Sequence, residues 1–204
     1  MIYERDPARI YAQSFATVRA EAPLAGLPAD IAELAVRLIH SCGMTDLPAD
    51  LAFSPDVVAS GRAALAAGRP LFCDCGMVAA GVIRRALPEG VEPVVTVHDP
   101  RAVASGNTRS AAAVELWRDR LEGSVVAIGN APTALFRLLE GLDEGWPRPA
   151  AILAFPVGFV GAAESKAELA TNPRGTPFVT LMGRRGGSAM AAAAVNALTL
   201  GLGA

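Results

Sequence analysis

His40 is the residue whose type and position most favour chemistry in this sequence, which contains two histidines. Helical spacing places Ile31, Leu34 and Leu38 on one apolar face, and His40 falls about opposite that face. It lies in the last turn of the predicted helix, where the helix dipole stabilises an imidazolium by roughly 0.3–1 kcal/mol. An accessible, protonated histidine suits general acid catalysis, and the alternative is an ordinary histidine at a helix end. We therefore take His40 as a candidate general acid.

Three glycine-containing turns lead into predicted helices and are candidate anion-binding sites: residues 106–110, 129–133 and 183–188. Unpaired backbone N–H groups and the helix dipole favour an anion there, and Arg109, Arg184 and Arg185 add bidentate donors for carboxylate or phosphate. The third turn lacks the G-x-G-x-x-G spacing and the Walker lysine of nucleotide-binding loops. Each turn could instead be solvated, and Asn107 could simply cap its helix. Several such turns together indicate a ligand with several carboxylates.

The cysteines are Cys42, Cys73 and Cys75. An odd, small number does not build a disulfide framework, so a reducing, cytoplasmic compartment is expected. Cys73 and Cys75 could bind a metal together with Asp74 and His98, but no second cysteine pair exists, and small buried thiols are the preferred interpretation. His98 itself is either a second site residue or a turn residue. We predict no metal site.

Composition excludes several classes of protein. The chain has 204 residues, of which 52% are hydrophobic and 19% charged, so it is not intrinsically disordered. Its net charge of −2 and 5% aromatic content argue against binding to nucleic acid or anionic lipid. The N-terminus is charged where a signal peptide would be apolar, and the longest apolar stretch, 150–163, is too short to span a bilayer. We expect a soluble cytoplasmic protein with one domain over residues 1–204.

The first third of the chain is predicted to be helical. Asp6 and Pro7 begin a helix over 7–21, and Asp30 with Glu33 resembles a capping box for a second helix over 30–41, which Gly43 ends. A third helix is expected over 54–67. Short apolar runs then alternate with helical segments. The predicted strands are 70–74, 93–98, 124–128, 151–155 and 177–182, and the predicted helices are 77–87, 107–121, 131–142, 162–170 and 188–200.

These strands are apolar almost throughout, which is typical of strands buried on both faces of a parallel sheet. Five such strands with crossover helices indicate a doubly wound α/β domain of three layers. Ligands of these sheets bind beyond the carboxyl ends of the strands. Those ends are the segments 74–76, 98–99, 129–131, 156–159 and 183–187.

Seven motifs carry a resemblance to a known family. They are RLIHSCGM (37–44), FSPDVV (53–58), CDCGMVAAGV (73–82), GNTRSAAAVELW (106–117), VVAIGNAPTALFRLLE (125–140), FPVGFVGAAESK (155–166) and GRRGGSAMAAAAVNAL (183–198). Together they resemble the precorrin-8X methylmutase family, isomerases of the cobalamin pathway that yield hydrogenobyrinic acid. The resemblance runs from residue 3 nearly to the C-terminus. Gly76 stands where the family pattern leads us to expect an acidic residue.

The resemblance implies a flavodoxin-like three-layer α/β/α fold with a five-stranded parallel sheet and an N-terminal helical segment. It also implies a homodimer, no cofactor, and migration of a methyl group from C-11 to C-12 of the corrinoid ring. His40 aligns with the family's active-site histidine, which transfers a proton on the ring, and Ser14 aligns with a substrate-contacting serine. From its position alone, Ser14 lies on the apolar side of the first helix, where it could bond to its own backbone.

The two lines of argument agree on a large, flat macrocycle bearing many carboxylates. We expect Ser14, Arg109, Arg184 and Arg185 to bind it, and Phe159, Val157 and Met44 could line the pocket. The alternatives are the same rearrangement on cobalt-precorrin-8 giving cobyrinic acid, a corrinoid-binding protein without catalysis, and a flavodoxin-like redox enzyme that binds FMN.

Overall fold

A mixed β-sheet forms the middle layer of the fold. The computed structural model describes residues 1, 3–103 and 106–200, and in these residues the sheet has six strands. They are β1 (Leu51–Phe53), β2 (Leu71–Cys73), β3 (Pro93–Val95), β4 (Val125–Ile128), β5 (Ala151–Ala154) and β6 (Phe178–Leu181). Their order across the sheet is β1-β6-β5-β4-β2-β3. All neighbours are parallel except β1, which pairs antiparallel with β6.

The parallel strands confirm the predicted fold class. Renumbered among themselves, they follow the flavodoxin-like order 2-1-3-4-5. The five predicted parallel strands are present, and Leu51–Phe53 adds a sixth, antiparallel edge strand that the sequence pattern does not predict. With three half-buried residues, this strand is too short to show an alternating pattern in the sequence.

The helices are α1 (Pro7–Glu21), α2 (Ala29–Cys42), α3 (Val57–Ala66), α4 (Gly76–Gly81), α5 (Arg109–Glu115), α6 (Pro132–Asp143), α7 (Ala162–Thr171) and α8 (Ser188–Thr199). Asp6 caps α1 as predicted, accepting a bond from the N–H of Ala8 at 2.9 Å. Gly43 ends α2 in the left-handed region, with φ of 74°. The predicted capping box is wrong, since Pro28 precedes α2 and Asp30 lies inside its first turn.

Two predicted helices are shorter than expected. α4 ends at Gly81 because the side chain of Asn196 donates to the carbonyl of Gly81 at 3.0 Å and accepts from the N–H of Ile83 at 2.8 Å. These bonds take the place of the next helical ones, and a short 3-10 helix, Arg84–Ala86, follows. α5 likewise ends at Glu115, and a 3-10 helix follows at Arg118–Arg120.

Two hydrophobic cores lie on the two faces of the sheet. Leu71, Val125 and Leu153 face the core shared with α2, α3, α4 and α8. Phe72, Val126 and Ile152 alternate with them and face the core shared with α5, α6 and α7. The three layers therefore agree with the prediction, and α2 brings its C-terminal end against α8.

Helix α1 lies outside these layers and packs against α2. Of its residues, Val18 is the buried one. Within the described residues, no helix is both long and apolar enough to cross a bilayer. The predicted single domain over 1–204 also includes residues 2, 104, 105 and 201–204, which lie outside the described residues, and it stays a prediction.

Candidate functional site

His40 and Ser14 form a direct pair between α2 and α1. The Ser14 Oγ lies 2.7 Å from the His40 Nδ1, a hydrogen-bond distance. His40 is exposed in the last turn of α2, whereas Leu38 and Ile39 beside it are buried, so its predicted position off the core face is confirmed. The side chain of Ser14 bonds to this ring across the helix pair. Because one ring nitrogen is held by Ser14, the other is left to meet a ligand.

Two aromatic rings and an arginine set the electrostatics of His40. Tyr11 stacks on its ring with centroids 5.3 Å apart, and Phe15 lies at 4.9 Å in a tilted arrangement. Burial against these rings, and then the charge of Arg37, lower the pKa of His40 below its usual 6.5. The expected stabilisation of the imidazolium by the helix dipole is therefore outweighed.

His40 lines one cavity, and a second, larger cavity lies beside it. One, of about 250 Å³, is lined by His40, by Arg37 and by the first turns of α8. The other, of about 580 Å³, lies between α1, α2 and the Ile83–Arg85 segment. Tyr11, Arg37 and Ile83 line both cavities, so the two lie side by side, and together they are called the His40 recess.

A third cavity, of about 320 Å³, lies between the Met44 segment that follows α2 and the loops after β5 and β6. Met44, Val157 and Phe159 line it together with Arg184 and Arg185, so the structure brings these predicted residues together. Phe159 is 85% exposed, and the Arg184 guanidinium lies 5.5 Å from the centre of its ring. Arg184 contacts no carboxylate in the part of the chain that the structure describes. It is therefore available to an anionic ligand.

Arg185 differs from its neighbour because the protein already neutralises its charge. Its guanidinium donates to Asp46 at 2.7 Å and also to Asp50. These two carboxylates raise the pKa of Arg185 further. A substrate carboxylate would have to compete with both of them, so the substrate-binding role of Arg185 stays a prediction with less support than that of Arg184.

Lys166 fixes the backbone of the 183–187 loop. Its side chain is buried, and its Nζ donates to the carbonyl of Arg185 at 2.5 Å. Burial, and then the charge of Arg185, lower the pKa of Lys166 to about 8. Gly186 lies against the carbonyl oxygens of Phe155 and Pro156, and a Cβ there would clash with both. Arg184 is thus carried by a loop whose backbone is held in place.

The predicted external anion site at 129–131 is wrong, because the chain supplies the anion itself. The Asp74 carboxylate, directly after β2, accepts from the N–H groups of Gly129, Asn130 and Ala131 at 2.9–3.0 Å. Asp74 is 2% exposed, and burial raises its pKa although three N–H groups oppose that shift. Its carboxylate fills the switch point between β2 and β4, where a ligand is often found in this fold.

Arg109 lies apart from the other candidates. It lines a cavity of about 540 Å³ with His98, Asp99 and Val103, and shares no lining residue with the His40 recess. The cap of its helix is Thr108, which accepts from the N–H of Ala111 at 3.2 Å, rather than Asn107. The structure therefore separates Arg109 from His40, and its substrate-binding role stays a prediction.

The cysteines are buried or half-buried thiols. Burial raises the pKa of Cys73 to about 12 and also raises the pKa of Cys75. A metal needs the thiolate form, which these environments oppose. Among the described residues, no group of three or more metal-ligating side chains comes together.

Sequence reasoning missed Tyr11, Phe15, Arg37 and Arg85. Arg37 precedes His40 by three residues and therefore shares its side of α2, which is the signal that could have found it. The aromatic pair of α1 could not be linked to His40 without knowing how α1 packs on α2.

Comparisons with known proteins identify the family of this chain. The family model for precorrin-8X methylmutase matches residues 9–200. A Pseudomonas aeruginosa protein named precorrin-8X methylmutase is 64% identical over 96% of both chains. A Sinorhizobium protein of the same name is 58% identical over 96% of this chain and 95% of its own. The crystal structure of precorrin-8X methyl mutase from Thermus thermophilus has a TM-score of 0.84 at 34% identity, covering 94% of this chain and 96% of that one. The chain belongs to the precorrin-8X methylmutase family.

Proposed function

We propose that this protein is an isomerase of cobalamin biosynthesis, which moves a methyl group from C-11 to C-12 of precorrin-8X and yields hydrogenobyrinic acid. The observation that carries the proposal is the His40–Ser14 pair, whose histidine lines a cavity, in a chain of this family. Methyl migration breaks the C-11–methyl bond and forms the C-12–methyl bond within one molecule. It therefore requires neither a hydride carrier nor a covalent nucleophile.

His40 is the proposed proton carrier in this reaction. Substrate and product of an isomerase have the same composition, so a proton that His40 adds to the ring must be returned before product leaves. Ser14 holds the Nδ1 side of the imidazole, which orients the other nitrogen for proton transfer. A positioned acid of this kind contributes typically about 10²–10⁴ in rate, and holding the ring in a reactive shape supplies further acceleration.

The third cavity shares no lining residue with the His40 recess, and its surfaces suit the ring and the carboxylates of a corrinoid. Met44, Val157 and Phe159 offer apolar surface for the ring. Arg184, exposed at the same cavity, is the proposed partner of a peripheral carboxylate, and Arg185 and Arg109 are weaker candidates for the same role. Truncating Arg184 is expected to weaken product binding by about 1.5–3 kcal/mol, the range for a charged hydrogen bond.

The experiment is to add precorrin-8X to the purified protein and follow the visible spectrum. Moving the methyl group changes the conjugated path, so turnover must change the colour while the product keeps the substrate's mass. Binding of hydrogenobyrinic acid without any conversion of precorrin-8X would favour a corrinoid-binding protein instead. Cobalt-precorrin-8 in a parallel reaction tests the alternative substrate, and faster turnover of it would reverse the assignment. A yellow protein with bound FMN would favour the redox alternative.

We also propose a homodimer that acts in the cytoplasm. Ile10 and Tyr11 on α1, and Phe159 and Val160 beside the third cavity, are apolar side chains that are 45–88% exposed, which supports a covered surface. Sedimentation velocity at micromolar concentration tests the dimer, and a monomer would contradict it. If the site is shared, mixing His40→Ala chains with Arg184→Ala chains should restore activity in one of the two sites of each mixed dimer.

The proposed cytoplasmic location has its own test. Isomerase activity recovered in the cytosolic fraction of cells would support it.

A further inference from the structure

The larger cavity of the His40 recess has positively charged side chains in its lining. The cavity of about 580 Å³ there is walled by Tyr11, Phe15 and Val36 on its apolar side. It shares Tyr11, Arg37 and Ile83 with the cavity that His40 lines, so a ligand whose ring reaches His40 can extend its peripheral groups toward this space.

Three arginines line this cavity, and they are not equivalent. Arg19 is neutralised by Glu33, which accepts from it at 3.2 and 2.5 Å. Arg37 lies over the ring of Phe15, with its guanidinium carbon 5.3 Å from the ring centre, and is half-buried. Arg85 is exposed, and within the described ranges it has no acidic partner. The Arg19–Glu33 pair cancels, so Arg85 contributes a positive charge to the lining that no acidic side chain of the described ranges pairs.

We infer that this cavity is a subsite for carboxylate side chains at the edge of the corrinoid, with Arg85 as the principal donor and Arg37 as the second. The inference rests on the proposed function and names residues that bind the same substrate. The methylene groups of such a side chain would pack on Tyr11 and Phe15, and the carboxylate would take bidentate bonds from a guanidinium.

A matched pair of variants tests the subsite. Arg85→Gln removes the charge inside the cavity, whereas Arg84→Gln removes the neighbouring charge, which is paired with Glu92 and does not line the cavity. Both side chains are exposed, so neither change disturbs the core. Binding of hydrogenobyrinic acid is followed by visible absorbance. We expect Arg85→Gln to weaken binding about tenfold or more, as for loss of a charged hydrogen bond, and Arg84→Gln to change it less than about twofold.

A second measurement uses hydrogenobyrinic acid whose carboxylates are converted to methyl esters. If Arg85 acts on a carboxylate, the affinity difference between wild type and Arg85→Gln disappears with this ligand. Equal losses in Arg84→Gln and Arg85→Gln would overturn the subsite, because they would show a general surface-charge effect. Wild-type affinity in Arg85→Gln would also overturn the subsite.

Turnover of precorrin-8X by the wild-type protein is measured on the same preparation. Turnover with unchanged affinity in Arg85→Gln would overturn the subsite alone. Absence of turnover by wild type would overturn the proposed function, and the subsite with it.

Discussion

The internal anion site at Asp74 gives a prediction whose size follows from its contacts. Asp74→Ala removes the acceptor of three N–H groups at 2.9–3.0 Å, and that of Gly129 is fully buried. An unsatisfied buried donor costs about 1–3 kcal/mol, and the other two donors, being partly buried, can recover water. Losing an unfavourably buried carboxyl offsets part of this cost. We expect the free energy of unfolding to fall by about 1–3 kcal/mol.

Urea unfolding followed by circular dichroism measures this loss. Asp119→Ala is the matched control, because Asp119 is exposed and makes no side-chain bond in the described structure, so its effect should stay within about 0.5 kcal/mol. A loss for Asp74→Ala no larger than that of the control would refute the reasoning that this carboxylate holds the 129–131 turn.

The raised pKa of Asp74 also predicts how the stability of the protein changes with pH. Burial raises the folded-state pKa of Asp74 above its usual 3.8, so the folded protein holds this proton more tightly than the unfolded chain. That contribution is complete below the usual value and is lost as pH rises through the raised folded pKa. Relative to Asp74→Asn, wild type should therefore lose stability as the pH is raised across that window. If wild type instead gained stability relative to Asp74→Asn across that window, the raised pKa would be contradicted.

Three further predictions concern the candidate site. If His40 acts as an acid, kcat/KM should fall as pH rises through a pKa below 6.5. Arg37→Gln removes a positive charge that lowers this pKa, so the fall in kcat/KM should move to higher pH. An unchanged pH profile would show that Arg37 does not lower the pKa of His40. Gly186→Ala should destabilise by about 1–3 kcal/mol through a clash with backbone carbonyls, whereas Gly76→Ala, which has open space, should not, and equal thermal melts would contradict this. Between pH about 8 and 10.5, wild type should gain stability relative to Lys166→Met, because the lysine's pKa is lowered on folding; no gain in urea unfolding would argue against a buried ammonium.

Much of the fold could be predicted because its signals are local. The apolar runs at β2, β4, β5 and β6 are buried on both faces, as parallel strands between helices must be. The ends of α1 and α2 followed from Asp6 and Gly43.

The misplaced elements depend on contacts between residues distant in sequence. The early end of α4 is set by Asn196, more than a hundred residues later in the chain. β1 exists because its partner β6 offers an edge. Neither partner leaves a mark in the local pattern, so periodicity alone could not find these features.

In the candidate site, too, local features could be predicted and contacts between distant residues could not. Helical periodicity placed His40 off the core face, but its bond to Ser14 depends on how α1 lies across α2. The turn at 129–133 does bind an anion, but this anion is the carboxylate of Asp74, 55–57 residues earlier in the chain, and not the predicted external ligand. Arg185 is predicted to bind a ligand carboxylate, but the carboxylates that pair with it are those of Asp46 and Asp50, which are distant in sequence. Charge on a loop can be predicted from sequence, whereas the internal partner that neutralises it cannot.

The most direct test of the central claim compares wild type, His40→Ala and His98→Ala with precorrin-8X, each followed by visible absorbance and product mass. His98 is the matched control, since it is the other histidine and lines a different cavity. We predict a spectral change at constant mass for wild type and His98→Ala, and a rate lower by about 10²–10⁴ for His40→Ala, with product binding retained. Turnover by His40→Ala within a few-fold of wild type would contradict the account.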